Sequence, residues 1–162
     1  MAVVYLAGPI RDGDWAISDR NWRILVRKMF DRQFIKCIDP TDGKYIDENG
    51  NWRFNASEKL ASDCPEKIYQ VDIEAIAKSD YILVNFLQVS GYVPIGSLCE
   101  IGIGMAQKHS IVIATKRQQI IQHPFIKGCP RIRVVSCFAD AIVSIETEVK
   151  ENSRSLTQSY LP

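Results

Sequence analysis

Residues 96–106, Gly-Ser-Leu-Cys-Glu-Ile-Gly-Ile-Gly-Met-Ala, hold one carboxylate, Glu100. They follow an apolar strand and a turn-rich loop, and the spacing predicts a helix that opens here with Glu100 in its first turn. On that helix Gly96 lies four residues before Glu100 and Gly104 four after, so no bulky side chain stands above or below the carboxylate. A glycine inside a helix costs about 1 kcal/mol relative to alanine, and this helix carries both Gly102 and Gly104. Such a cost is tolerated where something approaches the backbone, and one reading is a ligand lying over Glu100. The other reading is structural. Ser97 and Glu100 also spell a capping box, and the glycines also suit close packing on a sheet.

A second carboxylate stands where a core stripe should run. Asp63 can cap a helix that has Pro65 near its first turn and continues to about Lys78. Ile68, Tyr69, Ala75 and Ile76 form its apolar stripe, and Asp72 falls in the middle of them, while Lys67, Gln70, Glu74 and Lys78 take the solvent face. A carboxylate turned toward a core is expensive unless paired or neutralised. It is either an acid tuned by partial burial or a buried cap on a neighbouring loop. Asp80, after Ser79 at the start of a strand, reads as a structural turn residue.

The elements that must position these groups alternate. Strands are predicted over 2–7, 34–38, 81–86, 110–114 and 131–135, and helices over 15–32, 63–78, 96–108 and 138–149. In the first helix Trp22, Leu25, Val26, Met29 and Phe30 recur at helical spacing. Residues 41–56 read as a long polar loop that nevertheless carries Tyr45, Trp52 and Phe54. The alternation implies an α/β fold: a doubly wound, flavodoxin-like five-stranded parallel sheet in three α/β/α layers. Right-handed crossovers put the loops after Ala7, Ile38 and Phe86 at one end of that sheet, where ligands bind at the switch in strand order. Tyr5, the Gly8 loop and the Gly96 helix should therefore converge. A nicotinamide-type Gly-x-Gly-x-x-Gly is absent.

Length and composition set the outer bounds. The 162 residues are expected to form one domain over 1–150, followed by a polar C-terminal tail over 151–162. A net charge of +1 offers no electrostatic reason to expect a nucleic-acid polymer or a membrane surface as partner. No apolar run is long enough to span a bilayer, and Met1 leads directly into a strand with no signal peptide between. Cys37, Cys64, Cys99, Cys129 and Cys137 are scattered without a Cys-x-x-Cys, and His109 and His123 are the only histidines. Neither a disulfide framework nor a zinc site is indicated, and the expected compartment is the cytoplasm.

Four pieces, in order, resemble the nucleoside 2-deoxyribosyltransferase family and its nucleotide N-hydrolase relatives. They are residues 5–10 (Tyr-Leu-Ala-Gly-Pro-Ile), 72–80 (Asp-Ile-Glu-Ala-Ile-Ala-Lys-Ser-Asp), the strand ending at Asn85, and residues 96–106. The resemblance extends as far as Ala114 and is weak beyond it. It implies attack at the anomeric carbon of a nucleoside or nucleotide, with Glu100 as nucleophile, Asp72 exchanging a proton with the base, and Tyr5 orienting the nucleophile. Gly8, Pro9, Ile10, Arg11, Asn85, Gly96 and Ser97 are the implied substrate-binding positions. No metal or organic cofactor is implied, and a homodimer or higher homo-oligomer is expected by the same resemblance.

Two branches of this family differ at the 5′ end of the sugar. Transferases bind a 5′-hydroxyl with polar side chains, whereas monophosphate hydrolases use an arginine in the first loop, a serine and backbone amides. The Ile10-Arg11 pair resembles the hydrolase spelling and Gly8-Pro9 the transferase one, and Ser97 with the amides of its helix start could cradle a phosphate. Pro94 departs from both, standing where several transferases carry Asp and some hydrolases Ser. The expected activity is sugar transfer between bases. The alternatives are a 2′-deoxynucleoside 5′-monophosphate N-glycosidase and a nucleotide-binding sensor without turnover. No residue from a neighbouring subunit is matched, with the 123–125 segment and the Tyr160 tail as the candidates.

Overall fold

The computed structural model describes residues 1–11, 15–55, 64–87 and 94–158. Its elements run, in chain order, β1 (Val3–Ala7), α1 (Trp15–Asp31), β2 (Lys36–Ile38), β3 (Lys44–Ile46), β4 (Trp52–Phe54), α2 (Pro65–Ala77), β5 (Tyr81–Asn85), α3 (Ile95–Ala106), β6 (Ser110–Ala114), α4 (Gln118–Ile121), α5 (Pro124–Gly128), β7 (Ile132–Val135) and α6 (Phe138–Gln158). Five strands form one parallel sheet in the order β2-β1-β5-β6-β7. The order reverses between β1 and β5, which is the switch point where doubly wound sheets bind ligands.

Alternation along the central strands builds two separate cores. Val4 and Leu6, Tyr81 and Leu83, and Val112 and Ala114 face α1 and α6, where Trp22, Val26, Phe30, Ala141, Ile142 and Ile145 meet them. Tyr5 and Ala7, Ile82 and Val84, and Ile111 and Ile113 face the other way, toward Ile76 of α2, Ile101 of α3 and Ile126 of α5. Burial on both faces is why β5 and β6 read as unbroken apolar runs rather than as alternating ones. Tyr5 thus belongs to the layer that carries α2 and α3.

Several expectations shift. Residues 41–56 are not a plain loop, because Asn49 and Gly50 turn the chain into an antiparallel hairpin that pairs Lys44 with Phe54 and Ile46 with Trp52. Gly50 adopts φ 81°, the left-handed conformation that an Asn-Gly turn requires. Trp52 and Phe54 pack with Ala16, Cys64 and Ile68, which pins the hairpin between α1 and α2. Helix α3 starts at Ile95 with Pro94 as its cap residue, and Ser97 makes no cap there. Glu100 therefore lies in the second turn, and the capping box does not form. Leu25, Met29 and Tyr69, read as buried, are exposed. Phe34 sits outside β2 at φ 56°. Residues 151–158 continue α6 rather than leaving it as a tail. Cys64 occupies the cap position of α2, whereas Asp63, the loop over 88–93 and the Tyr160 tail lie outside the described residues.

Gly104 settles one of the two readings of the α3 glycines. A Cβ there would run into the Ile82 side chain and crowd Ile111, so this glycine lets the helix lie down on the sheet. Gly96 and Gly102 are exposed and have open space where a Cβ would go.

Candidate active site

The Tyr5 hydroxyl donates to Glu100 Oε1 at 2.6 Å across 95 residues of sequence. Strand β1 supplies the tyrosine from its middle and α3 supplies the carboxylate. Glu100 is withdrawn from water, and burial foremost pushes its carboxyl from 4.5 up to about 7. The charge of Asp72 adds to this rise, while the Tyr5 hydrogen bond, Arg23 and the Ser97 hydroxyl oppose it. A carboxyl so placed is divided between its neutral and ionised forms at neutral pH. Burial first, then Glu100 and Asp72, hold the Tyr5 phenol far above its ordinary range, so it stays a donor.

Asp72 joins this pair from α2. Burial raises its carboxyl above the ordinary range, opposed by the charges of Lys44 and Arg23 and by the nearby Tyr5 hydroxyl. Asp72 Oδ1 and Glu100 Oε2 are both buried and accept no hydrogen bond among the described residues. Buried acceptors left this way cost about 1–3 kcal/mol each. Two acids from two helices thus meet around one tyrosine, each presenting a spare oxygen.

The first loop is held rigid from beneath. Arg23, wholly buried, donates to the carbonyls of Gly8 (3.0 Å), Pro9 (3.3 Å) and Asp19 (2.7 Å). Its Nε stands 3.4 Å from Asp39 Oδ1. Gly8 fits because a Cβ would press on Trp22 at 3.0 Å and on the Asn85 carbonyl at 3.3 Å. Asn85 lies directly beside this loop, fully buried, with Oδ1 accepting from the Leu87 amide at 3.0 Å and Nδ2 unpartnered among the described residues. Ile10 is partly exposed. Arg11 closes a two-pronged pair onto buried Asp19, Nη2 to Oδ1 at 2.9 Å and Nε to Oδ2 at 3.2 Å, while its carbonyl accepts from Trp52 Nε1 at 2.8 Å. Ser97 is buried one turn before Glu100, whereas Gly96 is open to solvent.

Glu100, Asp72 and Tyr5 therefore come together, and Gly8, Pro9 and Asn85 form a second group at the ends of β1 and β5. Arg11 faces Asp19. Four buried charged side chains escaped the sequence reading: Asp19, Arg23, Asp39 and Lys44. For Asp19 and Arg23 the signal was available, since both fall on the same α1 stripe as Trp22, Val26 and Phe30, the argument that exposed Asp72. Among the described residues no group of three or more His, Cys, Asp or Glu side chains could hold a metal ion.

No family model matches the chain, and no curated protein does. Solved structures do match. A conserved protein from Enterococcus faecalis superposes over 91% of this chain and 99% of its own, with a TM-score of 0.61 and 16% identity. A CMP N-glycosidase from Clostridium botulinum superposes over 89% of this chain and 98% of its own, with a TM-score of 0.52 and 13% identity. A 2-deoxyribosyltransferase from Leishmania mexicana is similar over 72% of this chain and 66% of its own, at 0.49 and 18%. What the first two share with this chain is the fold, the three-layer α/β arrangement with its parallel sheet.

Proposed function

We propose that this protein cleaves the N-glycosidic bond of 2′-deoxynucleosides through a covalent intermediate on Glu100 and passes the sugar to a second base. The observation that carries the reading is the Tyr5–Glu100 hydrogen bond at 2.6 Å, with Asp72 close enough to act on both groups. In the first half-reaction an ionised Glu100 oxygen bonds to C1′ as the C1′–N bond breaks. The electrons of that bond leave with the base, which takes the Asp72 proton. An oxocarbenium-like transition state lies between, as in retaining glycoside hydrolysis. In the second half the incoming base displaces the glutamyl ester and returns a proton to Asp72. Gly8, Pro9, Ile10, Arg11, Asn85, Gly96 and Ser97 line the sugar and base in this reading, and the bond from Arg11 to Asp19 favours a free nucleoside over a monophosphate.

A second reading, hydrolysis of a nucleoside 5′-monophosphate with water as acceptor, draws on the likeness in fold to the CMP N-glycosidase. One experiment separates them: purified protein is incubated with deoxynucleosides or their monophosphates, with and without a second free base, and the products are chromatographed. A new nucleoside supports transfer, and free base with sugar phosphate supports hydrolysis. Nucleotide recovered intact from every mixture overturns both and leaves a binding sensor. Glu100→Gln should lower turnover by at least about a thousandfold with the fold retained.

No helix of the described residues is long and apolar enough to cross a membrane. We take the enzyme to act on small molecules in the cytoplasm as a homodimer or higher homo-oligomer, which light scattering at working concentration tests.

A further inference from the structure

Lys44 is a lysine in an unusual place. It opens β3, it is more than nine-tenths buried, and its register partner is Phe54, over whose ring its Nζ lies at 5.5 Å. Nζ donates to the Pro40 carbonyl at 2.8 Å and to no carboxylate among the described residues. A buried ammonium with one hydrogen bond and no direct counter-ion is a costly thing to keep in a fold. The hairpin determines what it faces. Phe54 and Trp52 pack on Ile68 of α2, and Asp72 stands one turn further along the same face of that helix. Asp72 is the strongest charge acting on Lys44, and Lys44 is the strongest charge acting on Asp72.

We propose that Lys44 is a positioning residue for the leaving-group acid: it balances the negative charge that Asp72 takes on as its proton passes to the departing base. The proposal rests on the assignment of Asp72 as that acid. When the C1′–N bond breaks, its electrons go to the base, the base takes the proton from the Asp72 carboxyl, and a carboxylate remains in a buried place. Among the described residues four groups interact with that carboxylate: Lys44 from β3, Arg23 from α1, Tyr5 from β1 and Glu100 from α3. Arg23 is already committed to Asp39 and three carbonyls. Among the described residues Lys44 is the cation left to answer the new charge, and it does so without an ion pair that would hold Asp72 ionised beforehand.

The test reads Asp72 directly. Aspartate is labelled with ¹³C at the carboxyl, the Asp72 resonance is assigned with Asp72→Asn, and its titration is followed in the wild type, Lys44→Met and Lys44→Arg. The midpoint should rise in Lys44→Met and hold in Lys44→Arg, because removing the nearby cation favours the neutral acid. Lys44→Gln, which keeps a donor for Pro40, serves if the methionine variant does not fold. In turnover, Lys44→Met should lower kcat on a natural deoxynucleoside by about tenfold or more and move the alkaline limb of the pH profile upward. It should leave a 2-deoxyriboside with a nitrophenolate leaving group nearly unaffected, since that group departs without a proton. Equal losses on both substrates, or an Asp72 midpoint that does not move, overturn the proposal. A midpoint that rises in a protein that cleaves no nucleoside overturns the glycosidic reading and leaves the Lys44–Asp72 coupling standing.

Discussion

Tyr5 gives its only proton to Glu100, and that bond works against the burial that holds the carboxyl high. The bond favours the ionised form, so Tyr5→Phe should push the Glu100 carboxyl above its value of about 7. In the proposed reaction the attacking form is the carboxylate, so the ascending limb of the rate profile should move to higher pH. Turnover at pH 7 should fall by about ten- to a hundredfold, the worth of a hydrogen bond to a charged group. An unchanged limb would show that the hydroxyl does not govern the nucleophile. Glu100 and Asp72 could be picked out from the sequence because each is a carboxylate in a place that punishes carboxylates, beside helix glycines or within an apolar stripe. Lys44 could not be picked out. Its burial comes from a hairpin turned by Asn49-Gly50, and a polar stretch with three aromatics does not announce that its single lysine is buried.

Helix α3 shows how one pattern can serve two ends. The glycines around Glu100 read equally well as room for a ligand and as room for a sheet. Gly104 belongs to the sheet, against Ile82 and Ile111, while Gly96 and Gly102 open outward. Alanine substitutions should therefore differ in sign. Gly104→Ala should destabilise the fold by about 1–3 kcal/mol through overpacking. Gly102→Ala should stabilise it by up to about 1 kcal/mol through helix propensity. Urea unfolding measures both, and a destabilised Gly102→Ala would mean that its outward face is not open in solution. The strands and their parallel order were legible from the apolar runs and the spacing of helices between them. The start of α3 was not, because Pro94 opens the helix three residues before the serine that local pattern favours as a cap. Likewise α4 and α5 are too short to leave a periodic signal.

Across the molecule, burying Glu100 makes stability depend on pH. Its carboxyl holds a proton in the folded state up to about 7, while the unfolded chain releases one near 4.5. Between those values the folded protein binds more protons, so this group's contribution to stability falls as pH rises through the window and is level above it. Glu100→Gln has no such proton to hold. Its stability advantage over the wild type should grow by up to about 3 kcal/mol between pH 4.5 and 8. Urea unfolding of both proteins across that range checks this, and parallel curves would place the carboxyl in water instead. The two acid groups reach Tyr5 from different helices, α2 and α3, and each keeps one buried oxygen that accepts nothing from the described residues. A small hydroxylated or cationic compound that donates to both oxygens would stitch these helices together from within. The protein would then announce its own ligand by melting later, so a panel of compounds can be ranked by thermal shift before any turnover assay exists.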